Sequence, residues 1–366
     1  MKRSFAALFA LCILLAGCGK TPDGEAPSTG NTDNQEPKRL PMVAVSLPAK
    51  TQTTKANDGN DLFRYTFQNI SMVHPYPEVA NKIIVDFLNR ADKADRTAAN
   101  IYNAAVAAYT GSAGWTPYLY HNTYDVQRVD QSVLSIAGTS VEYTGAAHAE
   151  QTCMNANYNM ITGEVLYLDD ILIEGQSSLP QLAIAALDKI QVEKRLYDGY
   201  EDTVILRFNQ DLTADEDWYF SNAGLCFPFA PYDLAPYSSG VIVAEIPYEQ
   251  LLGILKDAYF PAEADSYNGN LSSMTFTPEK ASGFEHMAEL ILGEEGQMLI
   301  LYTDETVDQI SILVADTAKE DVPYIAFAAQ QLKPEDAIIL QLPAEDTPNI
   351  TVSYRSNGTI ITYQIP

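Results

Sequence analysis

The chain has 366 residues, of which 46% are hydrophobic and 10% aromatic, enough for two packed domains and incompatible with wholesale disorder. Its formal charge is −26, from 48 acidic against 22 basic residues, so phosphate backbones repel it and no nucleic-acid partner is expected. Four Cys and four His exclude a disulfide-dense scaffold and a zinc-finger array.

Lys2 and Arg3 precede an apolar run, Phe5 to Leu15. The run is shorter than the roughly 20 residues a membrane-spanning helix needs, and it has the form of the apolar core of a secretory signal. It ends in Leu15-Ala16-Gly17-Cys18, which resembles the lipobox of bacterial lipoproteins. That resemblance implies cleavage after residue 17, a lipid anchor on the Cys18 thiol, and an extracytoplasmic protein attached to the bacterial membrane. Residues 18–40 then read as a flexible tether rich in Gly, Pro, Ser, Thr and Asn. Its r.m.s. span is roughly 26 Å, at about 5.5 Å times the square root of its length.

Two folded regions are expected, 41–269 and 270–366. Residues 43–70 alternate as strands, notably Phe63-Arg64-Tyr65-Thr66-Phe67. Pro77 opens a helix with Val79, Ile83 and Phe87 on one face; Lys93–Arg96 is a polar break, and Ile101, Ala105 and Tyr109 resume helical spacing. Strands follow from Tyr118 to Tyr143. Residues 151–160 alternate cleanly, with Thr152, Met154, Ala156, Tyr158 and Met160 on one face. Thr162-Gly163 is a turn before a return strand, Val165 to Leu168. Pro180–Arg195 reads as a helix with Leu182, Ala185 (or Ile184), Leu187 and Ile190 inward. Leu225, Phe227 and Phe229 mark a strand, and Pro247–Tyr259 a short helix. The class is α+β, with antiparallel sheets and helices packed on one side.

From about residue 270 short strands follow closely: 274–277, 289–292, 297–303, 309–314, 324–328, 337–342, 349–354 and 359–364. Asn357-Gly358 is a primed hairpin turn, and Gly293-Glu294-Glu295-Gly296 is a second turn. This density predicts an all-β sandwich of immunoglobulin-like architecture, without the Cys and Trp signature of true immunoglobulin domains.

Residues 143–170 read YTGAAHAEQTCMNANYNMITGEVLYLDD, and 220–237 read FSNAGLCFPFAPYDLAPY. The features that stand out are Tyr143, Gly145 and His148; Tyr158 and Gly163; Asp169 and Asp170; and Pro231, Tyr232, Pro236 and Tyr237. Together they resemble an extracytoplasmic domain of unknown function. That domain is shared by RsiV-like lysozyme-sensing anti-sigma factors and PdaC-like peptidoglycan deacetylases. The likeness spans roughly 43–260; residues 270–366 resemble no named family. The chain lacks the membrane helix and sigma-binding segment of the former and the metal-binding deacetylase domain of the latter. The resemblance therefore implies only their binding half, and with it a lysozyme-like basic protein or a cell-wall glycan as partner.

Charge bears on the same choice. The acidity is spread, −16 over 41–269 and −11 over 270–366. It reads either as solubility or as a field that attracts a cationic partner. Catalytic motifs are not evident: there is no G-x-S-x-G, H-E-x-x-H or P-loop. His74, His121, His148 and His286 share no ligand spacing, so no metal site and no cofactor are expected. An uncharacterised cell-wall hydrolase stays open, since paired carboxylates could run glycoside hydrolysis. Candidate partner-binding residues are Trp115, Tyr118, Tyr120 and Tyr124, which suit stacking, and Asp211, Asp215 and Asp217 in an acidic loop. In a secreted protein Cys153 and Cys226 are candidates for a disulfide.

Overall fold

The computed structural model describes residues 40–111, 114–174, 178–209, 215–262, 267–315 and 323–365. Cys18, the tether and Asp211 lie outside the described residues.

Strands β1 (Ala44–Ser46), β2 (Ala49–Lys55), β3 (Asp61–Gln68) and β4 (Ser71–Val73) precede the longest element, α1 (Pro77–Ala108). Pro77 stands in the first turn, where a missing N–H costs nothing. The expected break at Lys93–Arg96 does not occur. Ala94 and Ala98 carry the buried stripe from Phe87 on to Ile101, while Arg96 pairs with Asp92 on the solvent side.

After α1, β5 (Tyr118–Val129) and β6 (Val133–Tyr143) form a hairpin, and β7 (Glu150–Cys153) and β8 (Ala156–Asn159) both return along β6. The sheet runs β2-β3-β5-β6-β7, and α1 covers it, with Ile83 and Phe87 against Tyr124, Leu134 and Ile136. The strand expected over 151–160 is therefore split. At the split Asn155 leaves the ladder and donates through its N–H and side-chain amide to the Glu216 carbonyl. The polar face of this segment is buried as well: Asn157 donates to the Trp218 carbonyl at 2.8 Å and accepts from Ser135.

Helices α2 (Leu168–Ile171), α3 (Leu179–Asp188) and α5 (Tyr200–Asn209) share a core with a second sheet, while the single turn α4 (Gln191–Lys194) buries none of its residues. That sheet, ordered β11-β10-β9, contains β9 (Tyr219–Phe220), β10 (Gly224–Phe229) and β11 (Ile242–Pro247). The return strand expected at 165–168 is reduced to one bridge, Tyr158 to Val165, before α2 begins. The helix expected to Arg195 stops at Asp188; it buries Leu187 as expected, with Leu182, Ile184 and Ile190 packed on the same core, and adds Leu179 and Ala183, while Ala185 is exposed. The helix expected over Pro247–Tyr259 resolves into two single turns, because Gly253 is left-handed at φ +74° between them.

The rest is β-rich, as the strand density implied: β12 (Leu271–Thr275), a helical turn α6 (Pro278–Ala281), β13 (His286–Ile291), β14 (Met298–Thr303), β15 (Val307–Ala315), β16 (Tyr324–Leu332), β17 (Asp336–Gln341), β18 (Asn349–Ser356) and β19 (Thr359–Ile365). Two sheets, β19-β18-β15-β16-β1-β4 and β12-β14-β17-β13, share one core. Ile312, Phe327 and Val352 of the first meet Leu290, Leu301 and Leu340 of the second. The 293–296 turn is not a hairpin. β17 lies between β13 and β14 and pairs in parallel with β13, so the loop crosses the end of β17. Side chains there would strike Pro343 and the Leu342 carbonyl, which explains Gly293 and Gly296.

β1 and β4 come from the first forty described residues yet complete the C-terminal sheet, so pairing crosses the boundary expected at 269/270. Leu40–Pro366 is one compact unit. The junction is also polar: the Ile325 N–H donates to the Asp125 carboxylate of β5.

A cleft of carboxylates and aromatic rings

A cleft lies where β6 hands over to β7. Glu142 and Glu150 stand opposite each other across the ladder. Like charges in that position repel. Burial, reinforced by the Glu150 charge, holds the Glu142 carboxyl above the usual carboxylate range. Among the described residues neither glutamate has a cationic partner. The loop between them turns at Gly145, φ +89°, where a Cβ would approach the Tyr118 hydroxyl to 3.2 Å.

His148, at the end of that loop, stacks on Tyr237 with centroids 4.7 Å apart and planes at 23°. Tyr232 is tilted against Tyr237, with centroids 5.6 Å apart. The turn that presents Tyr232 is built by Asp233, whose carboxylate accepts the Ala230 N–H at 2.9 Å. Tyr232 itself is left-handed, φ +77°, and 56% exposed. A tyrosine held in that conformation is strained, and such strain clusters at functional sites. Pro231 lines the wall and Pro236 caps the short turn that carries Tyr237. The cleft so enclosed measures about 530 Å³.

Thr152, Ala230 and Asp233 also line an adjoining groove of about 380 Å³ that reaches Cys153 and Arg207. Here the cation is already engaged. Arg207 pairs with Asp217 at 3.2 Å, donates to the Pro228 carbonyl at 2.7 Å, and lies 4.8 Å over the Phe229 ring. No group of three or more metal-ligating side chains occurs among the described residues.

Of the motif residues, His148, Pro231, Tyr232 and Tyr237 line the cleft, Gly145 turns the loop beside Tyr118, Pro236 precedes the turn that carries Tyr237, and Tyr143 packs edge-on to Tyr118. The others serve the fold. Tyr158 is fully buried and donates to Asp86 at 2.9 Å. Gly163 lets its turn close on α1, where a Cβ would lie 2.7 Å from the Val79 carbonyl. Asp170 accepts the Tyr167 N–H at the start of α2, and Asp169 beside it is exposed.

Three expectations are corrected. Tyr120 and Tyr124 are no partner surface: they alternate inward on β5, and Tyr124 packs 4.9 Å from Phe87. Trp115 and Tyr118 are half-buried and stack on each other at 5.1 Å, which occupies one face of each ring. Asp215 and Asp217 open and close one short turn, with Asp217 committed to Arg207. Cys153 and Cys226 are free thiols. Cys226 is buried against Glu245 and Tyr219, whereas Cys153 lines the Arg207 groove, and burial raises the thiols to about 12 and about 11 respectively.

Glu142, Glu150 and Asp233 were missed as site residues. The signal was available: two strands joined by the loop 144–149 put the flanking glutamates face to face.

Residues 169–249 match a family model described as a protein of unknown function, DUF3298. The matched stretch includes the 231–237 wall of the cleft but not the 144–149 loop. Two solved structures are similar. A DUF3298 family member from Bacteroides fragilis is 17% identical, with a TM-score of 0.45, covering 60% of this chain and 96% of its own. A DUF3298 family protein from Pseudomonas aeruginosa is 19% identical, with a TM-score of 0.43, covering 62% and 99%. Curated protein sequences yield no match. The matched family carries no assigned catalytic activity.

Proposed function

We propose that this chain is an extracytoplasmic binding protein, lipid-anchored through Cys18 and without catalysis of its own, that captures a cationic protein. A lysozyme-like cell-wall hydrolase is the leading candidate. The observation that carries the reading is the unpartnered Glu142–Glu150 pair beside the stacked rings of His148, Tyr237 and Tyr232. A lysine or arginine side chain entering the cleft relieves the repulsion between the glutamates and gains a cation–π contact of about 0.5–2 kcal/mol. The acidity of the whole molecule steers such a partner toward the cleft.

The exposure of Tyr232 favours a second reading, a glycan stacked on the ring platform. Salt separates the two, because charge capture weakens as ions screen it and stacking on neutral sugar does not. Calorimetry of Leu40–Pro366 with a basic lysozyme is expected to show binding that falls steeply with salt and is lost when Glu142→Gln and Glu150→Gln are combined. Folded protein giving no complex at low salt overturns the reading. Salt-insensitive binding of peptidoglycan fragments alone replaces it with the second. The anchor is tested separately: Cys18→Ala is expected to abolish lipid labelling and release the protein from the membrane.

A further inference from the structure

Among the described residues, the strands that end the four sheets are protected, with one exception. β2 carries Lys50 and Lys55, β7 carries Glu150, β13 carries Glu289, and β11 carries Glu245 and ends in Pro247. β4 and β9 are only three and two residues long, and β12 presents exposed serines. Charge, proline and brevity are the usual means of stopping one edge from pairing with another. β19 has none of them. It is seven residues, Thr-Ile-Ile-Thr-Tyr-Gln-Ile, with no charge, and its one strand neighbour among the described residues is β18.

The register shows which groups are open. β18 and β19 are joined by the two-residue turn Asn357-Gly358, φ +49° and +70°, closed by the pair Ser356 and Thr359. In such a hairpin the closing pair exchanges both hydrogen bonds, and bonded and non-bonded pairs then alternate. Ile360, Thr362 and Gln364 therefore aim their N–H and C=O groups away from β18, toward open space. Ile360 is 65% exposed. On the other face Ile361, Tyr363 and Ile365 are partly buried on the sandwich core.

We propose that β19 pairs antiparallel with β19 of a second copy of this chain, joining two six-stranded sheets across a two-fold axis at Thr362. This register engages the whole strand. Thr362 faces itself, and Ile360 faces Gln364 of the other copy, so each outward donor finds an acceptor. Ile361 falls opposite Tyr363 and extends the apolar inner face across the axis. Charge selects the same strip. Two copies at −26 repel over most of their surface, and this edge brings no like charges together. Its salt response is therefore opposite to that of cationic capture at the cleft: added salt screens the general repulsion and strengthens the pairing.

Sedimentation equilibrium of Leu40–Pro366, which contains every described core, tests this from micromolar to hundreds of micromolar protein. The expected result is a monomer–dimer equilibrium that shifts toward dimer with salt. Ile360→Lys, at an exposed position, is expected to leave a folded monomer at every concentration, as judged by circular dichroism. Thr362→Cys is expected to cross-link on mild oxidation, since Cα atoms of a bonded antiparallel pair lie about 5.5 Å apart, within disulfide reach. The unsubstituted protein serves as control for Cys153 and Cys226. A wild-type monomer throughout overturns the proposal. So does a dimer that survives Ile360→Lys and is not cross-linked through Thr362→Cys.

Discussion

Two regions that each bring carboxylates beside aromatic rings differ in their cation. At the tip of the β5–β6 hairpin, Arg128 is 2% exposed. It pairs with Asp130 at 2.6 Å and donates to the Tyr248 hydroxyl at 2.8 Å and the Tyr259 carbonyl at 2.7 Å. Its guanidinium lies 5.1 Å over Phe220 and 5.6 Å over Tyr248. At the cleft, Glu142 and Glu150 line the same walls as Tyr237 and His148, and among the described residues no lysine or arginine pairs with either glutamate. The chain already solves the problem of holding an arginine with acid and ring, and it solves it again, at lower burial, with Arg207, Asp217 and Phe229. The cleft offers the same set of groups open to solvent.

The largest expected effect is at the closed site. Arg128→Ala leaves Asp130 without its charge partner and is expected to cost about 3–5 kcal/mol in urea unfolding. A loss below 1 kcal/mol would mean that the cation is dispensable and that the comparison fails on its closed side.

Asp125 sharpens the contrast, because it is a carboxylate that accepts one backbone N–H and is given no cation. Burial pushes it up to about 6, from an ordinary value of 3.8. With the folded value raised, its contribution to stability is full below pH 3.8 and lost as pH rises through 6. The loss is about 2–3 kcal/mol at 1.36 kcal/mol per pH unit. Asp125→Asn, which keeps an acceptor for the Ile325 N–H, is expected to match wild type near pH 4 and to exceed it by that amount at pH 8. Parallel stability curves for the two proteins over this range would contradict it.

At the open site the effect on the fold is smaller and of opposite sign. Combining Glu142→Gln with Glu150→Gln removes like-charge repulsion and is expected to raise stability by up to about 1 kcal/mol, while lysozyme affinity falls at least about tenfold, or 1.4 kcal/mol. Tyr232→Gly is the mildest case. Relief of the left-handed strain, less the flexibility that glycine adds to the unfolded chain, is expected to gain about 0.5 kcal/mol at most, with weaker binding. A destabilised Tyr232→Gly would show that the ring holds the turn rather than serving a partner.

Much of this was legible in the sequence, and the misses have physical causes. Each C-terminal strand was placed to within about four residues, because short apolar runs between turn residues leave little freedom, but β12 and β13 begin three residues before the expected starts and β16 runs on to Leu332. Their partners were not legible: nothing local in Glu289–Leu292 says that β17 will insert beside it, and only the crowding at Gly293 and Gly296 records the crossing. The assignment of β1 and β4 to the distant sheet was hidden for the same reason. Local pattern also failed where small residues carry the buried face, as with Ala94 and Ala98 in α1. For the site, two motif stretches far apart in sequence proved to be opposite walls of one cleft, whereas Tyr158 and Gly163 between them belong to the core. Aromatic abundance at 115–124 misled, since alternation along β5 sends Tyr120 and Tyr124 inward.

A cationic partner is proposed to seat in the cleft formed by 142–150 and 230–237. Hydrogen exchange of Leu40–Pro366 with and without a basic lysozyme at low salt tests it most directly. Slowed exchange concentrated in the 144–150 loop and the 230–237 turn, and absent when Glu142→Gln and Glu150→Gln are combined, is the predicted result. Binding accompanied by protection elsewhere, with those two segments unchanged, would contradict it.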